Sequence, residues 1–128
     1  MKFDVDIPVR IFSGRGCVAR NAGRLTLGRR AAIVCGRRGA RTSGALDDVT
    51  LLLEATGAQY LIFDKAAENP PLAVCYEGGR AALAFGADFV IGIGGGSALD
   101  AAKAVAAFAS NPGIEPLDIY DPEKLTTP

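Results

Sequence analysis

Apolar runs alternate with helical patterns along this chain. Val9 to Phe12 reads as a short strand ending at Ser13-Gly14-Arg15-Gly16, and Cys17 to Leu27 as a helix with Gly28 just past its end. Ala31 to Cys35 is a continuous apolar run closed by Gly36, the mark of a strand buried on both faces. Ser43 is placed to cap the next helix. Asp47 and Asp48 in its first turns favour the helix dipole, and Leu46, Val49, Leu52 and Leu53 line one face. Gly57-Ala58 ends that helix and Tyr60 to Phe63 is the next strand. Asn69 reads as a cap with Pro70 at the first helical position, opening a helix that runs through Arg80 to Phe85. Gly78-Gly79 inside it, each costing ~1 kcal/mol against alanine, implies close approach of a neighbouring backbone. Gly86-Ala87-Asp88 stops the helix, Phe89 to Ile93 is a strand, and Ala98 to Ala109 is a helix.

Strands alternating with helices at this spacing predict an α/β fold. The expected form is Rossmann-like, a mostly parallel sheet with helices on both faces. The expected domain covers residues 1–109. Residues 110–128, with Asn111-Pro112-Gly113, Pro116, Asp121-Pro122 and Pro128, read as a loop-like linker.

The most informative segment is Gly94-Gly95-Gly96-Ser97-Ala98-Leu99-Asp100-Ala101-Ala102-Lys103. A strand that ends in glycines and opens a helix can hold a phosphate on backbone N–H groups. Ser97 can cap the helix or reach a phosphate oxygen. Asp100, three residues on, either completes a short-armed capping box or lies near the sugar or nicotinamide end of a ligand. Lys103 offers Asp100 a surface partner. The loop is neither the usual dinucleotide fingerprint, since Ser97 stands where the third glycine belongs, nor a P-loop, since no Gly-Lys-Ser/Thr follows. A plain structural turn is the alternative.

Composition narrows the chemistry. Fourteen basic and fourteen acidic residues cancel, but residues 1–44 carry net +8 and the remainder net −8. The arginines are spread through a folded pattern without interleaved aromatics, which is not a nucleic-acid-binding pattern. Cys17, Cys35 and Cys75 are too widely spaced for a metal or redox pair and read as free thiols of a reducing cytoplasm. The chain has no histidine, so it supplies no Ser-His-Asp or Cys-His site and no histidine metal ligand. No stretch resembles a signal peptide or a membrane span.

Gly94-Gly95-Gly96-Ser97 with Asp100 and Lys103 resembles the signature of the iron-containing (group III) alcohol dehydrogenases. Phe12-Ser13-Gly14-Arg15-Gly16, Glu68-Asn69-Pro70, Glu77-Gly78, Gly86-Ala87-Asp88-Phe89 and Asn111-Pro112-Gly113 resemble other family segments in the same order. The resemblance implies the N-terminal half of the dehydroquinate synthase-like fold. It implies hydride transfer between an alcohol and its aldehyde or ketone, with NAD or NADP and an Fe2+ or Zn2+ ion. By the same resemblance Gly94, Gly95, Gly96 and Ser97 bind the cofactor pyrophosphate, and Asn69 lies near the cofactor.

Two departures shape the expectation. Typical members carry an Asp and three His as metal ligands in a C-terminal helical domain. This chain lacks histidine, so it reads as the cofactor half alone, a fragment or a truncation, binding no metal and supplying no catalytic residue. Many NAD-using members also have an acidic residue after the strand that ends here at Cys35. Gly36-Arg37-Arg38 stands in its place, which favours NADP through Arg37 or Arg38, unless both are solvated loop charges. The alternatives are a stand-alone nucleotide-binding or interaction module, and a glycerol dehydrogenase relative. A homo-oligomer is expected, because the missing half would leave an apolar face.

Overall fold

The computed structural model describes residues 2, 4 and 8–127. Three strands, β1 (Arg30–Cys35), β2 (Gln59–Phe63) and β3 (Phe89–Ile93), form one sheet in the order β2-β1-β3, with both pairings parallel. Ile33 stands opposite Ile62 on one side and Ile91 on the other. β1 is therefore central. Its residues Ala31 to Cys35 are all essentially inaccessible to solvent, which is why the run carries no polar residue.

The strand's two-residue period divides the core. Ala31, Ile33 and Cys35 face one cluster with Leu46, Leu52 and Leu53, while Ala32 and Val34 face another with Ala82, Val105 and Phe108. The first cluster is covered by α1 (Cys17–Arg20), α2 (Ala22–Leu25), α3 (Gly39–Thr42) and α4 (Ala45–Ala55). The second is covered by α5 (Leu72–Phe85) and α6 (Gly96–Ser110). Helices thus lie on both faces of a parallel sheet, as the alternation of elements implies.

Gly78 and Gly79 are what let α5 lie against α6. A β-carbon on Gly78 would stand 2.8 Å from Val105 Cγ2, and one on Gly79 would strike the Phe108 β-carbon. Gly86, at φ 75°, ends α5 in the left-handed conformation.

Several boundaries differ from the sequence reading. Val9 to Phe12 forms no strand: no described strand runs beside it, and Val9 and Ile11 are exposed. The helix expected over Cys17 to Leu27 is two single turns. Asn21 divides them, its Nδ2 donating to the Cys17 carbonyl and so competing with the backbone ladder. Gly44, not Ser43, caps α4, because the chain leaves the short α3 through a φ of 79° that glycine adopts freely. Ser43 Oγ still accepts from the Ala45 N–H at 3.3 Å. α5 begins at Leu72 rather than Pro70, because Pro71 drives Pro70 out of the helical region.

The tail is partly ordered against the body. A 3-10 helix spans Pro116–Tyr120, and Ile114 and Ile119 pack on the α5/α6 cluster. Asn111 is the buried anchor. Its Nδ2 donates to the Ala107 and Thr127 carbonyls and its Oδ1 accepts from the Thr126 and Thr127 N–H groups, so its full hydrogen-bonding capacity is used. At the opposite end from the glycine loop, the Asp88 carboxylate accepts from the Arg29 and Arg30 N–H groups at 2.9 Å each, joining the entries of β1 and β3. Those two bonds hold its carboxyl below the usual range. No helix among the described residues is long and apolar enough to cross a membrane.

Candidate functional site

All three strands run the same way, so the loops after β1, β2 and β3 meet at one edge. A cavity of about 300 Å³ opens there, lined by Gly36, Gly39 and Ala40 after β1, Ala66, Ala67 and Glu68 after β2, and Ile93 to Ala98 after β3. This is where open parallel sheets place ligands. Two larger hollows, about 480 and 390 Å³, lie beside α1, α2 and α4. Their walls are mainly apolar, so the strand-end cavity, lined by Gly94 to Ala98, is the candidate.

Its glycines differ in what requires them: a β-carbon on Gly36 would come within 3.3 Å of the Ala66 carbonyl oxygen. Gly94, at φ 143°, is required by its own backbone, and a β-carbon there would crowd Ala98. Gly39, Gly95 and Gly96 are different. None has a positive φ, and a β-carbon on any of them would meet nothing within 4 Å. Nothing in the protein demands glycine at these three positions, and all three line the cavity. Their bare backbone leaves room for a group to approach closely.

That group meets a helix N-terminus. Gly95 is the cap residue of α6, and the first intrahelical bond runs from the Leu99 N–H to the Gly95 carbonyl. The N–H groups of Gly96, Ser97 and Ala98 are therefore unspent within the 15-residue helix, whose dipole adds positive potential at this end. Such an array suits an anion, above all a phosphate.

Ser97 does not cap α6. It is the second residue of the helix, and its Oγ accepts the Asn69 N–H at 3.2 Å. Asn69 is held at φ 47°, the sole described non-glycine residue with a positive φ. A second cavity of about 310 Å³, lined by Asn69, Pro70, Cys75, Ser97, Asp100 and Ala101, shares Ser97 with the first. Ser97, which accepts from the Asn69 N–H, thus borders both hollows. Asp100 forms no capping box. It pairs with Lys103 at 3.2 Å, both side chains being largely exposed.

The residues singled out from the sequence therefore separate. Gly36, Gly94, Gly95, Gly96 and Ser97 line the first cavity, and Asn69 and Asp100 the second. Arg37 and Arg38 line neither and are exposed. Sequence reasoning missed Gly39, Ala66, Ala67 and Glu68. The run Gly36-Arg37-Arg38-Gly39, with two glycines in four residues, carried a signal for the first of these. The small pair Ala66-Ala67, just beyond β2, gave a fainter one. Burial raises the thiol pKa of both Cys35 and Cys75 above the ordinary value. Among the described residues no group of three or more His, Cys, Asp or Glu is placed to hold a metal ion.

Residues 8–128 match the family model described as iron-containing alcohol dehydrogenase. The long-chain primary alcohol dehydrogenase AdhA of Thermoanaerobacter ethanolicus is 36% identical over 96 residues, covering 72% of this chain and 24% of the relative. NADH-dependent butanol dehydrogenase A of Clostridium acetobutylicum is 28% identical over 127 residues, covering 98% of this chain and 33% of the relative. An iron-containing alcohol dehydrogenase of Thermotoga maritima superposes with a TM-score of 0.79 at 36% identity, over 86% of this chain and 31% of that one. This chain spans a third or less of the length of these relatives.

Proposed function

The chain belongs to the iron-containing alcohol dehydrogenase family, and from that premise we propose that it forms the nicotinamide-cofactor-binding part of an alcohol oxidoreductase. The observation that carries the reading is the trio Gly39, Gly95 and Gly96, glycines that line the strand-end cavity and that the fold itself does not require. When bound, the cofactor supplies the hydride acceptor or donor for interconversion of an alcohol and its aldehyde or ketone.

Within that reading the chain's residues bind and orient. The Gly96, Ser97 and Ala98 N–H groups receive the pyrophosphate at the positive end of α6. Because Ser97 Oγ already accepts from Asn69, its own proton is free to be donated to a phosphate oxygen. The nicotinamide end then extends toward the hollow lined by Asn69 and Asp100. NADP is the preferred cofactor. Gly36 presents no carboxylate to a ribose at the exit of β1, and basic side chains flank that exit. The family's metal finds no ligand set here: the chain has no histidine, and the described residues form no candidate cluster. No step of the chemistry is assigned to a metal on this chain. A small alcohol or aldehyde is the parent protein's substrate, and the cytoplasm its location.

Calorimetric titration of the chain with ADP, NADPH and NADH tests it. Binding of ADP and of both cofactors, with NADPH the tighter, is expected. Absence of any binding at millimolar ligand would sink the reading.

A further inference from the structure

One side chain ties together the exits of β1 and β2. Arg41, in α3, forms an ion pair with Asp64, Nη2 to Oδ2 at 3.1 Å, and donates through Nη1 to the Arg37 carbonyl at 2.9 Å. Asp64 is the residue directly after β2. A guanidinium has five N–H donors in a fixed fork, so donors remain beyond the one given to the Arg37 carbonyl. Both side chains are partly exposed, at 44% and 35%.

The pair does not line the strand-end cavity but adjoins in sequence the residues of its far wall. Arg41 follows Ala40 and Asp64 lies two residues before Ala66, and both alanines line that cavity. The glycine loop ends β3, two strands away across β1. At the usual strand spacing this is roughly 10 Å, a distance that a nucleoside covers when its diphosphate rests on the loop. A carboxylate at that end accepts ribose hydroxyls and repels a 2′-phosphate, while a guanidinium does the reverse.

We propose that Arg41 and Asp64 together select the cofactor: Arg41 cancels the Asp64 carboxylate at the exit of β2 and offers its remaining N–H groups to a 2′-phosphate. The selecting cation is then Arg41, whose head group is fixed at two points, rather than Arg37 or Arg38. This rests on the reading of the cavity as a nicotinamide-nucleotide site. Glu68 also lines the cavity and its charge opposes a 2′-phosphate, so the informative quantity is the change in preference between variants that all retain Glu68.

The experiment measures affinity of the whole chain for 2′,5′-ADP and for 5′-ADP, by calorimetry, with melting curves as a check on folding. Arg41→Gln is expected to lower the preference for 2′,5′-ADP about tenfold, the loss of one charge-assisted contact. Asp64→Asn is expected to raise it, and Arg41→Lys to fall between wild type and Arg41→Gln. Opposite signs from two partners of one ion pair cannot arise from unfolding. An unchanged preference in Arg41→Gln, with wild type binding both ligands, overturns the selection by Arg41 alone. Failure of wild type to bind either ligand overturns the nucleotide-site reading and this inference with it.

Discussion

Gly79 and Gly96 are both helical glycines, and they exist for opposite reasons. Gly79 sits where α5 meets α6, and a single added carbon would strike Phe108 and crowd the Val105 carbonyl. Gly96 opens α6 facing empty space. In the first region the protein itself forbids a side chain. In the second it forbids nothing, and under the proposed function the requirement comes from the cofactor. A residue's identity can thus answer either to the fold or to a ligand, and only the surroundings tell which.

The strongest test of that contrast is Gly79→Val. Forcing a branched side chain between the two helices should cost about 3 kcal/mol or more, read as a large drop in the chemical denaturation midpoint. A variant as stable as wild type would break the comparison. Asn111→Ala comes next, as a polar residue the fold requires. It leaves the Thr126 and Thr127 N–H groups without their acceptor, and a loss of about 1–3 kcal/mol is expected by the same measurement.

Gly96→Ala should do the reverse of Gly79→Val. Stability should hold or rise by up to about 1 kcal/mol, because alanine suits a helix better. ADP affinity should fall in the same protein. A stabilised variant with wild-type affinity would remove the ligand from the explanation. The smallest effect concerns Asp88. Its folded pKa is depressed by the Arg29 and Arg30 N–H groups, so its contribution is present above the ordinary carboxylate range and is lost as pH falls through the lowered value. Asp88→Asn should therefore flatten the acid limb of the stability profile below about pH 4. An unchanged acid limb would show that the two hydrogen bonds do not favour the ionised form.

How much of this was legible in the sequence varies by region. The three strands were readable because β1 and its neighbours are short apolar runs whose ends are marked by Gly36, Asp64 and Gly94. Gly78-Gly79 announced a close helix contact because two glycines inside an apolar helical pattern are otherwise costly. Val9 to Phe12 misled, because alternating apolar residues specify a strand only where another strand offers a ladder. The start of α5 misled because the second proline of Pro70-Pro71 acts on the first. In the candidate site, the glycine loop was visible as a motif. The place of Glu68 in the cavity and the Arg41–Asp64 pairing were not, because they depend on which separate loops the fold brings together and follow no local pattern.

The sequence by itself determined the alternation of strands and helices, the phosphate-suited loop, and the absence of histidine ligands. These depend on local periodicity, on glycine and on composition. The tertiary structure alone decided which of the glycines are free of steric demand, that Ser97 bonds Asn69 rather than capping its helix, and that Arg41 pairs with Asp64 and the Arg37 carbonyl. Each of those depends on which loops the parallel sheet gathers at one edge, and a chain read one residue at a time carries no record of that gathering.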